Sequence, residues 1–151
     1  MEDWHTYFVG KLAWWVHNAK PCLSGGIKKL ENSLKNISNR LKYLGRTPGK
    51  NSRTGREVFE RMEKKGTARI KDGQKQFWDK HSNKWRDIKY ADMSHKVDAV
   101  SWWNRVGRKF GAKSEEVREW MLNSKNYELE YYKINRSRGG KLKETYKPPL
   151  K

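Results

Sequence analysis

Of the four histidines in the chain, His95 stands apart. It ends the run Asp92-Met93-Ser94-His95-Lys96, after a strand-like segment and before a helix-like one. A strand end at that point can hold an imidazole over a cleft. An imidazole titrates near physiological pH and so serves as general acid or base. A lone histidine beside an aspartate is also a common packing arrangement, and these residues by themselves leave both readings open. His5 and His17 lie among tryptophans on an N-terminal helix, the usual setting of a packed or partly exposed ring. His81 falls in a turn beside Ser82 and Asn83 and is expected to be solvated. Further on come the oxygen donors Asn126, Glu130 and Asn135, and then Arg136, Arg138 and Lys141. Such cations either grip phosphates or form a solvated basic face. No P-loop, dinucleotide fingerprint, His-Glu-x-x-His or Gly-x-Ser-x-Gly is present, so phosphate-cradling, zincin and serine-hydrolase chemistry have no support.

The order of these residues carries more than any one of them. A histidine is followed by Asn126, by Asn135 nine residues later (135 − 126), and then by Ser137, Gly139 and Lys141. In that order the chain resembles the HNH/endonuclease VII superfamily, and within it the Gly-His…Glu toxin branch. Members of the branch carry an Asp-Met-Gly-His-Lys core and a later Glu followed by Asn-Arg-Ser. Here these are Asp92 to Lys96, Glu130 and Asn135-Arg136-Ser137. The stretch from Arg46 to Glu57 looks like the lead-in of such domains, and the resemblance runs from Arg46 to Pro149. Ser94 stands where the branch has glycine, and Asp92 lies three residues before the histidine instead of beside it.

The resemblance implies a ββα-metal core clasping one divalent ion, Mg²⁺ or Mn²⁺, as oxygen ligands favour. It implies that His95 is the base that activates water, that Glu130 and Asn135 bind the ion with Asp92 as a weaker third ligand, and that Asn126 braces the loop presenting His95. Lys96, Arg136, Arg138 and Lys141 would hold phosphates. The activity implied is metal-dependent endonuclease cleavage, of DNA before RNA, by a bacterial polymorphic toxin in interbacterial competition. Such a domain is secreted within a larger toxin, acts in the cytoplasm of a target bacterium and needs an acidic immunity protein in its producer. A non-catalytic basic nucleic-acid-binding protein is the alternative.

The elements that would position these groups are readable from periodicity. Residues 4–18 carry apolar groups at helical spacing, and from Ile27 to Leu44 an apolar stripe marks a second helix, so residues 1–45 read as a helical hairpin. The Gly, Pro, Ser and Asn-rich loop from Gly45 to Arg53 is the boundary to a nuclease-like domain over 46–151. Thr54 and Glu57 form a capping box for a short helix to about Lys65, with Val58 and Met62 inward. Turn signals at Asp72-Gly73 and Ser82-Asn83 divide three short antiparallel strands. Helices are expected over Val97–Phe110 and after Ser114, a strand over Tyr127–Tyr131, a basic turn over Asn135–Gly140 and a frayed tail. Trp102 and Trp103 either stack on bases or, the more ordinary role, pack in the core. The fold class is α+β, mostly helical. The sole cysteine, Cys22, excludes an internal disulfide and a thiolate zinc site. Phe8 to Val16, interrupted by Lys11, is far shorter than the ~20 residues of a membrane span, and no basic leader or cleavage site flanks it.

Lys and Arg total 35 against 17 Asp and Glu, a net charge of +18 spread along the chain, while 8 Trp, 7 Tyr and 4 Phe supply a core. A surface of that sign attracts polyanions. Nucleic-acid affinity is therefore expected to fall steeply with salt, with a slope of log affinity on log salt of about −3 or steeper in fluorescence-anisotropy titrations. A slope near zero would remove the polyanion reading.

Overall fold

The computed structural model describes residues 24–150. The chain divides after Leu34, and its second unit, residues 35–151, is compact. The helix expected over 4–18 lies outside the described residues, as do His5, His17 and Cys22. Helix α1 (Ser24–Tyr43) follows the apolar stripe, with Ile27, Leu30 and Leu34 exposed. At its end Tyr43 and Leu44 are buried, and the Tyr43 ring stacks on Trp103 at 5.0 Å. The last turn of α1 therefore packs within the second unit.

Helix α2 (Arg53–Lys64) begins one residue before the expected cap. Ser52 is the cap: its Oγ accepts from Gly55 N at 3.1 Å, while its hydroxyl donates to Gly49 O at 2.7 Å. Thr54 is buried in the first turn instead and donates to Leu122 O at 2.9 Å, tying α2 to a distant segment. Glu57 pairs with Arg53 one turn back. Val58 and Met62 face inward as the spacing predicts.

Strands β1 (Ala68–Lys71), β2 (Gln74–Asp79) and β3 (Lys84–Asp87) form an antiparallel sheet in that order. Asp72 and Gly73 both have positive φ, the requirement of a tight two-residue hairpin, and Lys71 pairs with Gln74. Strand β4 (Ala91–His95) pairs antiparallel with β5 (Tyr127–Tyr131) in a second, two-stranded sheet. Between them lie α3 (Ala99–Arg105) and α4 (Glu115–Leu122), the latter capped by Ser114, whose Oγ accepts from Val117 N. The helix expected to run to Phe110 stops at Val106, whose backbone leaves the helical region. Gly107 then lies flat against the Trp102 ring, with no room for a Cβ.

The segment expected as a basic turn is helix α5 (Tyr132–Lys141), and the tail beyond it is not frayed. Trp103 Nε1 donates to Lys147 O at 2.8 Å, Asn104 Nδ2 to Thr145 O at 2.9 Å and Leu150 N to Arg108 O at 2.8 Å, and Tyr146 is buried. One core gathers Val58, Phe59, Met62, Phe77, Met93, Tyr127 and Leu129, and the other gathers Tyr43, Leu44, Val100, Trp103, Val117 and Met121. The fold is α+β with small antiparallel sheets.

Gly55, in the first turn of α2, lies against the preceding loop: a Cβ there would collide with the carbonyls of Gly49 and Lys50. Gly55→Ala is expected to destabilise the chain by about 1–3 kcal/mol, read as a lower urea midpoint. An unchanged midpoint would show that the loop from Gly49 yields freely.

Candidate functional site

Side chains alternate across a strand, and the β4–β5 register divides the expected site residues between two faces. Met93, Leu129 and Tyr127 point into the first core. Asp92 and Ser94, opposite Glu130 and Glu128, point the other way, towards α5. Asp92 receives both Nε and Nη2 of Arg136, at 3.0 and 3.2 Å, and Asn135 Nδ2 at 3.3 Å. Glu130 receives Arg138 Nη1 on Oε1 at 2.9 Å and the Ser94 hydroxyl on Oε2 at 3.0 Å. Arg138 Nη2 also donates to Ser94 Oγ at 2.8 Å. Asp92, Glu130, Asn135, Arg136 and Arg138 thus come together on one face.

Glu130 is only 4% exposed. Burial pushes its pKa up, but the hydrogen bonds from Arg138, Ser94 and His81 outweigh it and hold the carboxyl below its ordinary value. His81, expected in solvent, brings Nε2 to 3.5 Å from Glu130 Oε1. Its turn is built around buried Asp79, which accepts from His81 N, Ser82 Oγ and Arg86 Nε. Lys80 in the same turn reaches Glu128 at 3.2 Å. A small cavity of about 100 Å³ lies here, lined by His81, Glu130 and Asp79 among others. Sequence reasoning missed His81 because nothing local indicates that the β2–β3 turn folds onto β5.

His95 is not on this face. Its ring stacks on Trp120 at 5.3 Å and tilts against Tyr127 at 4.4 Å, and Trp120 stacks on Trp102 at 4.0 Å. Its Nε2 is buried without a hydrogen-bond partner. Burial and the nearby Arg40 charge lower its pKa to about 3. Asn126 borders it: the Asn126 carbonyl accepts from Lys96 N at 2.9 Å, and its side chain donates to Trp120 O at 2.8 Å. Lys96 is exposed, and partial burial with repulsion from Arg61 and Lys65 lowers its pKa. Lys141 is exposed at the end of α5.

Along the free edge of β4 runs a groove of about 690 Å³, lined by Arg40, Lys50, Lys89 and Arg136 against the single acid Asp92, with Tyr132 and Asn135. Its charge suits a polyanion. Among the described residues no three His, Cys, Asp or Glu side chains are grouped to hold a metal ion. The oxygens that do converge are Glu130 Oε1, Ser94 Oγ and Asn135 Oδ1, all within 3.5 Å of Arg138 nitrogens. That is one carboxylate with two neutral oxygens, a hard donor set whose chemistry fits Mg²⁺ or Mn²⁺.

The lowered His95 pKa has a stability consequence. Between its ordinary value of 6.5 and about 3, the unfolded chain binds a proton that the folded chain does not. Its contribution is fully present above 6.5 and is lost as pH falls through that window. In NMR titrations from about pH 8 to about pH 5 the His95 ring is expected to stay neutral; a midpoint near 6.5 would overturn its burial. No family model matches the chain, and no curated protein or solved structure matches it.

Proposed function

We propose that the chain is a nuclease toxin domain that hydrolyses phosphodiester bonds, of DNA before RNA, with β4, β5 and α5 as a ββα core. The observation that carries this reading is the gathering of Glu130, Ser94 and Asn135 oxygens around the Arg138 guanidinium, with Asn135 also lining the cationic groove. In this reading Glu130 and Asn135 hold a divalent ion, Mg²⁺ or Mn²⁺, with Asp92 as a third oxygen donor. When bound, the ion supplies positive charge for the phosphate and the leaving oxygen. Arg40, Lys50 and Lys89 track the backbone along the groove, and Lys96, Arg136, Arg138 and Lys141 take the phosphates beside the scissile one.

The resemblance gives water activation to His95, with Asn126 as its brace. His95 would serve as a neutral imidazole, but its Nε2 is buried. A second reading, favoured by the 3.5 Å separation from Glu130, gives that step to solvent-facing His81. The toxin reading carries a delivery route and a partner: export within a larger protein to a target bacterium's cytoplasm, and an acidic immunity protein drawn to the +18 surface.

Incubation with plasmid DNA and with RNA, with and without Mg²⁺ and chelator, is the test. Cutting that needs the ion is expected, with Glu130→Ala and Asn135→Ala losing about 10²-fold or more of the rate while circular dichroism is retained. His95→Ala is expected to abolish cutting and spare binding. Cutting that survives His95→Ala and is lost in His81→Ala moves the base to His81. Binding without cutting by the folded, ion-supplied chain would leave only the non-catalytic alternative.

A further inference from the structure

The guanidinium of Arg138 occupies the centre of the oxygen cluster. Nη1 meets Glu130 Oε1 at 2.9 Å, and Nη2 meets Ser94 Oγ at 2.8 Å and Asn135 Oδ1 at 3.5 Å. Ser94 and Glu130 are 1% and 4% exposed and stand on paired strands that also line the first core. A carboxylate withdrawn from water this far needs a positive partner. The partner here is an arm that is 41% exposed, carried on a helix with no buried residue that ends at Gly139-Gly140-Lys141. The Ser94 and Glu130 oxygens, on the strands, are thus the fixed part of the arrangement, and the Arg138 arm is the movable part. The fit to Arg138 is also incomplete, since the Asn135 contact at 3.5 Å lies at the outer limit of a hydrogen bond.

We propose that Arg138 is a surrogate cation: a divalent metal ion and the Arg138 guanidinium exclude each other at Glu130, and binding of the ion releases the arginine to solvent. The inference rests on the nuclease reading for the kind of ion, and not for the exchange. The cluster presents one carboxylate oxygen, one hydroxyl and one amide oxygen, hard donors that match Mg²⁺ or Mn²⁺ as well as they match a guanidinium. The exchange replaces one positive charge beside the buried carboxylate by two, so Glu130 is never left uncompensated. His81 Nε2 faces the same Glu130 oxygen at 3.5 Å and stays in place when the arginine leaves. The freed guanidinium stays on α5, the helix that also carries Asn135 and Arg136 of the groove lining, and a phosphate there can take the place of the carboxylate it lost. Ion and nucleic acid would on this account bind with positive cooperativity, because each holds what the other displaces or frees.

The test is Mn²⁺ binding to the full chain, followed by the electron paramagnetic resonance of the free ion and by thermal melting. Arg138→Met keeps the aliphatic stem and removes the charge. It is expected to melt lower than wild type without metal, to recover on adding Mn²⁺, and to bind Mn²⁺ roughly tenfold or more tightly, because the internal competitor is gone. Adding Glu130→Gln to that variant should abolish both effects. Equal Mn²⁺ affinity in wild type and variant, or a lowered melting point that Mn²⁺ does not restore, would make Arg138 a fixed structural partner and overturn the proposal. Should Arg138→Met not fold, Arg138→Lys serves the same purpose, since a point charge cannot span Glu130 and Ser94 together; affinity no tighter than wild type there also overturns it. Tight Mn²⁺ binding without plasmid cleavage would sink the nuclease reading and leave the exchange standing.

Discussion

A carboxylate as deeply enclosed as that of Glu130 is stable only with a cation and hydrogen-bond donors around it, and meeting that demand organises the surrounding structure. Removing one partner of such a pair costs about 3–5 kcal/mol in a fully buried setting, and less where, as here, the arginine is 41% exposed. The demand explains α5. Its sequence contains Gly139-Gly140, buries no residue and has little amphipathic character. Helix propensity alone would not specify it. What holds it is tertiary: Arg138 on Glu130 and Ser94, and Arg136 and Asn135 on Asp92.

Aromatic rings at the junction of β5 and α5 space the cations. The Arg86 guanidinium lies 4.0 Å over the Tyr131 ring and that of Arg136 lies 4.9 Å over Tyr132, while the two tyrosines meet edge to face at 5.1 Å. Arg86 also carries the buried charge of Asp79. The same ring corner thus seats one arginine that shapes the His81 turn and another that faces the groove. Much of the positive charge near the site is already matched, Lys89 by Asp87 among others, and the surplus lies with lysines such as Lys50 and Lys96.

Periodicity and turn chemistry carried the sequence reading a long way. The Asp72-Gly73 hairpin, the Ser114 cap, the inward face of α2 and the strand from Tyr127 to Tyr131 all follow from local pattern. The cap at Ser52 was not distinguishable from one at Thr54, because both are good cap residues and the buried contact from Thr54 to Leu122 is long-range. The same limit hid α5 and the docked tail. At the site, the grouping of Asp92, Glu130 and Asn135 was legible in their order along the chain. Strand alternation puts Asp92 and Ser94 on one face and His95 on the other, and separates residues that lie side by side in the sequence. The contact of His81 with Glu130 had no local sign.

Strands β4 and β5 are hydrogen-bonded neighbours, yet residues 96–126, with two helices, separate them in sequence. Bringing them together means closing that whole loop before any cross-strand contact repays the lost chain entropy. The oxygens of Asp92 and Ser94 therefore meet those of Glu130 and Asn135 across a long-range pairing, with α3 and α4 in the loop between them. An extended chain scatters these groups far apart, and the grouping of Asp92, Ser94, Glu130 and Asn135 exists only once the loop is closed.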